Sequence, residues 1–247
     1  MNRFFINSQL INDKGVLFPE AVSHQILNVL RLTSGDRVDV LDDRGFVYHV
    51  ELLMSDDERT VFGRIMQKEL VTTEPTVRIT LCFGLSNREK VEWILQKGTE
   101  IGVSEFVPFI SSRTLVQSSG LSEKKKERWK RIIKEAAEQS HRGRLPKLTL
   151  PQDFETCVMC VCPQNRLNLI AWEEAVSETA TIKDCLQGFD GTTLALFVGP
   201  EGGFSADEIG IAQGAGCQVI SMGDRILRME TAAILLPGIV LFELGEI

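Results

Sequence analysis

This 247-residue chain lacks several features that would assign it a class at once. Its longest apolar run, near Ala232–Phe242, is about half of the roughly 20 residues needed to span a bilayer and is interrupted by Pro237, so no membrane partner is expected. Met1–Ile11 alternates apolar and polar residues and has no basic-then-apolar export layout, which predicts a cytoplasmic protein. The six cysteines form no regular framework, and the cluster Cys157, Cys160, Cys162 has no second Cys/His pair at ligand spacing. Reduced thiols and no metal are therefore expected. Neither Gly-x-x-x-x-Gly-Lys-Ser/Thr nor Gly-x-Gly-x-x-Gly occurs, which argues against a triphosphate or dinucleotide site. No internal repeat or low-complexity tract is visible.

Charge is present but unevenly spread. The net charge of -7 first argues against nucleic acid. Residues 1–72 hold 8 basic and 11 acidic side chains, residues 73–150 hold 15 and 9, and residues 151–247 hold 4 and 14. A basic middle and an acidic C-terminal third mean that the average cannot decide partners.

The pattern changes near Glu74-Pro75. Before it, Arg37–Leu41, Phe46–Leu53 and Thr60–Ile65 read as strands, Asp42-Asp43-Arg44-Gly45 as a hairpin turn, and Glu20–Leu30 as a helix. After it, Val77–Phe83, Glu105–Ile110, Asn168–Trp172, Thr193–Val198 and Gln218–Ser221 read as strands of a mostly parallel sheet covered by helices. One helix is predicted over Asn87–Ile101, with Val91, Ile94, Leu95, Gly98 and Ile101 on one face and Gly102 ending it. The expected domains are residues 1–72 and 73–247.

Three segments carry chemistry. In the first, residues 113–146, Ser122 is a candidate N-cap, and Trp129, Ile132, Ile133, Ala136 and Ala137 form an apolar stripe. Lys124, Lys125, Lys126, Arg128, Lys130, Arg131 and Lys134 crowd the rest of that helix, with Glu127, Glu135 and Glu138 as intrahelical partners; an anion-binding strip is expected, followed by the polar stretch Glu138–Arg142. The second is a strand entering Gly199-Pro200-Glu201-Gly202-Gly203, then a capping box over Ser205–Glu208 with Phe204 and Ile209 as a staple. Its acidic residues suit a cationic ligand, or one read mainly by backbone, better than a phosphate. The third, Ser221–Ala232, contains Arg225, Arg228 and Glu230 and two apolar residues, Ile226 and Leu227, that need a cover, either an adenine ring or a second subunit. The helix that follows is apolar on nearly all sides and is expected to be buried, with an oligomer interface as one way to bury it.

Phe197–Ser205 followed by Arg225–Ala232 resembles the RsmE family, the 16S rRNA uridine-N3 methyltransferases of the SPOUT superfamily. Glu100–Val103, Glu135–Ser140, and His24 with Val29–Leu32 and Gly35-Asp36 extend the resemblance along most of the chain; Gln25 replaces a frequent histidine and Met222 a usual leucine. The resemblance implies an α/β fold: a C-terminal SPOUT domain with a parallel sheet and deep trefoil knot, plus a small N-terminal PUA-like β-barrel. It further implies a homodimer acting on 16S rRNA of the small ribosomal subunit, with S-adenosylmethionine held at Ala171, Gly199, Glu201, Gly202, Met222, Gly223, Ile226, Leu227 and Arg228. Methylation at N3 puts partial negative charge on the uracil, for which Arg142 and then Arg228 are the candidate cations, with Glu230 as candidate proton acceptor. Arg31, Arg37, Lys124, Lys125, Lys126 and Arg142 are the candidate RNA contacts. Another RNA, a ribose 2'-hydroxyl, or a non-catalytic assembly role is the alternative reading.

Overall fold

In the computed structural model, residues 1–54, 60–114, 122–175 and 180–247 are described. Residues 115–121 of the basic segment lie outside them. The chain divides into two compact units, residues 1–74 with 137–145, and residues 75–136 with 146–247.

The first unit is a six-stranded sheet. Its strands are β1 (Arg3–Phe5), β2 (Ile11–Asn12), β3 (Gly15–Leu17), β4 (Arg37–Leu41), β5 (Phe46–Met54) and β6 (Val61–Leu70), with α1 (Glu20–His24) between β3 and β4. Their order is β1-β4-β5-β6-β3-β2; β1 joins β4 in parallel and every other pair is antiparallel. Asp42 builds the β4–β5 turn by accepting the amides of Arg44 at 2.8 Å and Phe46 at 3.1 Å, with Asp43 and Gly45 at positive φ. The ladder between β5 and β6 shifts register at His49/Val50, a bulge that sharpens the local twist. Alternate residues of the strands, among them Val38, Val40, Val50, Leu52 and Val61, meet Phe18, Val22 and Ile26 in one apolar core. A π-helical turn over Gln25–Val29 continues α1 and ends at Arg31, whose φ of 54° lies in the left-handed region.

The second unit is a parallel sheet. It contains β7 (Arg78–Gly84), α2 (Arg88–Ile101), β8 (Glu105–Ile110), α3 (Glu123–Gln139, whose last turn belongs to the first unit), β9 (Lys147–Leu148), β10 (Gln152–Asp153), α4 (Phe154–Val161), β11 (Leu167–Ala171), α5 (Ile182–Leu186), β12 (Thr193–Val198), α6 (Ala206–Gly214), β13 (Gln218–Ile220) and α7 (Met229–Glu243). The strand order is β10-β8-β7-β12-β11-β13, with β9 also on β8. Because strand side chains alternate, Ile79, Leu81, Phe83, Leu194, Leu196 and Val198 face one core with α2, α3 and α7. Cys82, Ala195, Phe197 and Ile170 face the other core, with α4 and α6. Asn87 caps α2 by accepting the Lys90 amide, and Gly102 ends the helix at φ 124°.

Within the single chain, the C-terminal helix is buried on one side and exposed on another. Ala233, Leu236, Val240 and Leu241 are buried, yet Leu235 and Phe242, seven residues apart on one face, are 43% and 68% exposed. Trp93 on α2 is also exposed. Among the described residues no helix is long and apolar enough to cross a membrane.

Candidate functional site

In a parallel sheet the loops after the strands gather at one edge, where ligands bind. Phe83, Val198, Ala171 and Ile220 stand in one row across β7, β12, β11 and β13. Each strand ends at or one residue beyond this row, so Gly199–Gly203 and Ser221–Leu227 leave the same edge. Gly84 lets the chain after β7 pass tightly: a Cβ there would lie 2.5 Å from the Pro200 nitrogen. A cavity beside Thr80, Glu105, Gln152 and Gln164 lies toward the other end of these strands and contains none of the glycine-loop residues.

The start of α6 is closed by its own side chains. Ser205 Oγ accepts the Glu208 amide, and the buried Glu208 carboxylate accepts the amides of Ser205 at 2.9 Å and Ser112 at 2.8 Å. Burial raises the Glu208 carboxyl, but these amides and the Ser111 hydroxyl outweigh it and hold the group below the usual range. The helix dipole is therefore answered from within the chain, which accounts for the acidic residues where a phosphate cradle would need open amides. Phe204 and Ile209 are buried in the same core, as the staple requires.

The two site segments meet through a lysine. Lys90 Nζ lies 2.9 Å from Glu201 Oε1 and 3.6 Å from Glu230 Oε2. Glu201 also accepts the Ser86 hydroxyl. Burial raises the Glu201 carboxyl, and its bonds to Ser86 and Lys90 more than reverse this. Lys90 is in turn pushed above its ordinary value, chiefly by its bond to Glu201. Two carboxylates against one ammonium leave excess negative charge, and Glu230 Oε2 is buried without a hydrogen bond. Ile226 is 80% exposed, and Gly223, at φ 96°, faces open space. Leu227 and Met222 pack partly against the core, Arg228 is exposed, and Arg113 donates to the Gly202 carbonyl at 3.1 Å. Excess carboxylate, a buried carboxylate oxygen without a hydrogen bond and an uncovered apolar side chain fit a cationic ligand with a flat apolar part.

Arg142 is placed differently from its expected role at an open RNA face. It is 4% exposed, belongs to the first unit, and pairs with Glu74, Nη2 to Oε2 at 2.7 Å. Glu74 also accepts the amides of Gly143 at 2.9 Å and Arg144 at 3.2 Å, and these partners overcome the effect of burial to hold its carboxyl below the usual range. Arg31, Arg37 and Lys124 are exposed. Lys125 lies over the Trp129 ring, and Lys126 pairs with Glu123. Arg128 binds Glu92 on α2, an interhelical partner that helical spacing did not disclose, and together with Arg88 it takes that carboxyl down to about 2 despite partial burial. The basic helix is thus more neutralised than its own composition suggests. Cys157 and Cys162 are buried and Cys160 is exposed; Cys162 lies 3.4 Å from Cys217.

Residues 72–241 match the RNA methyltransferase domain family, and residues 18–66 match the RNA methyltransferase PUA domain. The ribosomal RNA small subunit methyltransferase E of Bacillus subtilis is 33% identical over 85% of this chain and 83% of its own length. The chain belongs to the ribosomal RNA small subunit methyltransferase E family. A member of this family from Neisseria gonorrhoeae, solved bound to S-adenosyl methionine, superposes with a TM-score of 0.84 at 25% identity, covering 98% of this chain and 97% of that one. A Legionella pneumophila methyltransferase solved with the same cofactor gives 0.82 at 27% identity over 97% and 96%.

Sequence reading missed Gly84, Ser86, Lys90 and Glu74. The first two had a usable signal, because Gly84 closes β7 and Ser86 follows it, much as Gly199 follows β12. Lys90 and Glu74 had none, since their partners stand 111 and 68 residues away.

Proposed function

We propose that this protein methylates N3 of a uridine in 16S rRNA of the small ribosomal subunit, in the cytoplasm, using S-adenosylmethionine. The reading is supported above all by the meeting of Gly199–Gly203 with the start of α7 around an excess of carboxylate, in a chain of this family. When bound, the cofactor supplies the methyl group.

Backbone groups at Ala171, Gly199, Gly202, Met222, Gly223 and Leu227 read its polar edges, and Ile226 covers an apolar face. Glu201 answers positive charge. Arg228, exposed at the N-cap of α7, stabilises negative charge developing on the uracil. Glu230 takes up the N3 proton or orients that arginine. Arg142 acts through the turn it anchors on Glu74. The target base must leave its stack, since N3 lies on its pairing edge. Arg31, Arg37 and the exposed cations of α3 contact phosphates. Two copies associate through the exposed face of α7 around Leu235 and Phe242, so Phe242→Glu converts dimer to monomer in analytical ultracentrifugation; a wild-type monomer would refute this arrangement.

The deciding experiment is mass-spectrometric mapping of modified nucleosides in small-subunit rRNA from cells with and without this protein. Loss of one N3-methyluridine, restored by the gene, is expected. Unchanged nucleosides, or loss of a ribose methylation instead, would overturn the proposal.

A further inference from the structure

Lys90 stands between carboxylates from two segments that are distant in sequence. Glu201 belongs to the glycine loop and Glu230 to the first turn of α7, and the ammonium lies 2.9 Å from one and 3.6 Å from the other. All three side chains are largely shielded, at 23%, 27% and 13% exposure, so charge interactions among them are less screened than on an open surface. Without the ammonium, Glu201 and Glu230 would lose the cation they share, and Glu230 Oε2, which makes no hydrogen bond, would stay buried. Ser86, two residues after β7, secures Glu201 on its other side, so the loop is held from both the segment after the strand and the helix.

We propose that Lys90 is the positioning residue of this site: its ammonium ties Gly199–Gly203 to the start of α7 and sets the spacing at which the two segments take up an adenosyl ligand. The inference rests on the cofactor reading above. A lysine that only balanced charge would behave otherwise. Its removal would favour cationic S-adenosylmethionine over S-adenosylhomocysteine, which lacks the sulfonium, whereas loss of a tether weakens both alike.

The test uses the full chain with Lys90→Met and Lys90→Arg. Hydrogen exchange without ligand reads the tether directly. In Lys90→Met the amides of Gly203 and Ala232, bonded to the carbonyls of Pro200 and Arg228, should exchange at least about fivefold faster while those of β7 and β12 do not change. Calorimetry should then show both ligands weakened by on the order of tenfold in Lys90→Met and nearly unchanged in Lys90→Arg. Unchanged exchange at both amides, or a selective gain for S-adenosylmethionine, would overturn the inference. A wild-type protein that binds neither ligand would overturn the cofactor reading instead, and the exchange result would still decide the tether.

Discussion

The molecule contains two assemblies of carboxylate and cation that use the same chemistry to different ends. In the first unit, Glu74 meets Arg142 and two backbone amides, and the Arg142 side chain is 5% exposed. In the second, Lys90 is shared between Glu201 and Glu230, and one buried oxygen has no hydrogen bond. The first gathers a guanidinium and two backbone amides on one carboxylate, which suits a fixed structural joint. The second keeps a surplus of negative charge beside exposed Ile226, which suits a site that completes itself with a ligand. Hydrogen-bond completeness separates architecture from function here, and the presence of charge does not.

The largest effect that tests this contrast is expected from Glu74→Ala, which removes the carboxylate shared by the buried Arg142 guanidinium and the amides of Gly143 and Arg144. It should destabilise the first unit by about 3–5 kcal/mol in calorimetric unfolding, whereas Glu201→Gln should cost under about 1 kcal/mol. Equal costs would erase the distinction. Gly84→Ala comes next: its Cβ would lie 2.5 Å from the Pro200 nitrogen and 2.8 Å from Pro200 Cα, so the backbone of the glycine loop must move. Affinity for S-adenosylmethionine should fall about tenfold, equivalent to about 1.4 kcal/mol; unchanged titration calorimetry would show that the loop tolerates displacement.

Acid gives a third, smaller handle. Glu92 is held at about 2 by Arg128 against an ordinary 4.5. Its folded value lies below its unfolded one, so its stabilisation is present above pH 4.5 and fades as pH falls towards 2. Unfolding free energy of Glu92→Gln should lack that part of the acid dependence, while Glu74, also lowered, keeps its own. The smallest effect concerns Arg31, whose left-handed backbone costs a non-glycine residue about 1 kcal/mol. Arg31→Gly should leave stability equal or slightly raised, yet weaken RNA binding and reduce its salt slope by about one. Full RNA affinity would assign Arg31 to neither role.

Much of the fold was legible because its signals are local. Strands β8 and β12 run over the predicted Glu105–Ile110 and Thr193–Val198, Asn87 and Gly102 bound α2, and Ser205 with Glu208 forms the expected capping box. The two-residue strands β9 and β10 were missed, since pairing with β8 defines them and they have no period of their own. The glycine loop and Ser221–Leu227 were recognisable as candidate site segments, but the residues that join them were not. Composition marked α7 as apolar on nearly all sides but could not say which side packs within the chain and which, around Leu235 and Phe242, is left exposed by it.

The amino-acid order by itself determined the parallel α/β layout, the two chemistry-bearing loops and the family, because periodicity, caps and glycine spacing act within a few residues. Only the tertiary structure decided that residues 137–145 belong with the first unit, that Arg142 is committed to Glu74, and that Lys90 links Glu201 to Glu230. Charge pairing across a hundred residues depends on which strand lies beside which, and a linear pattern of charges does not encode that order.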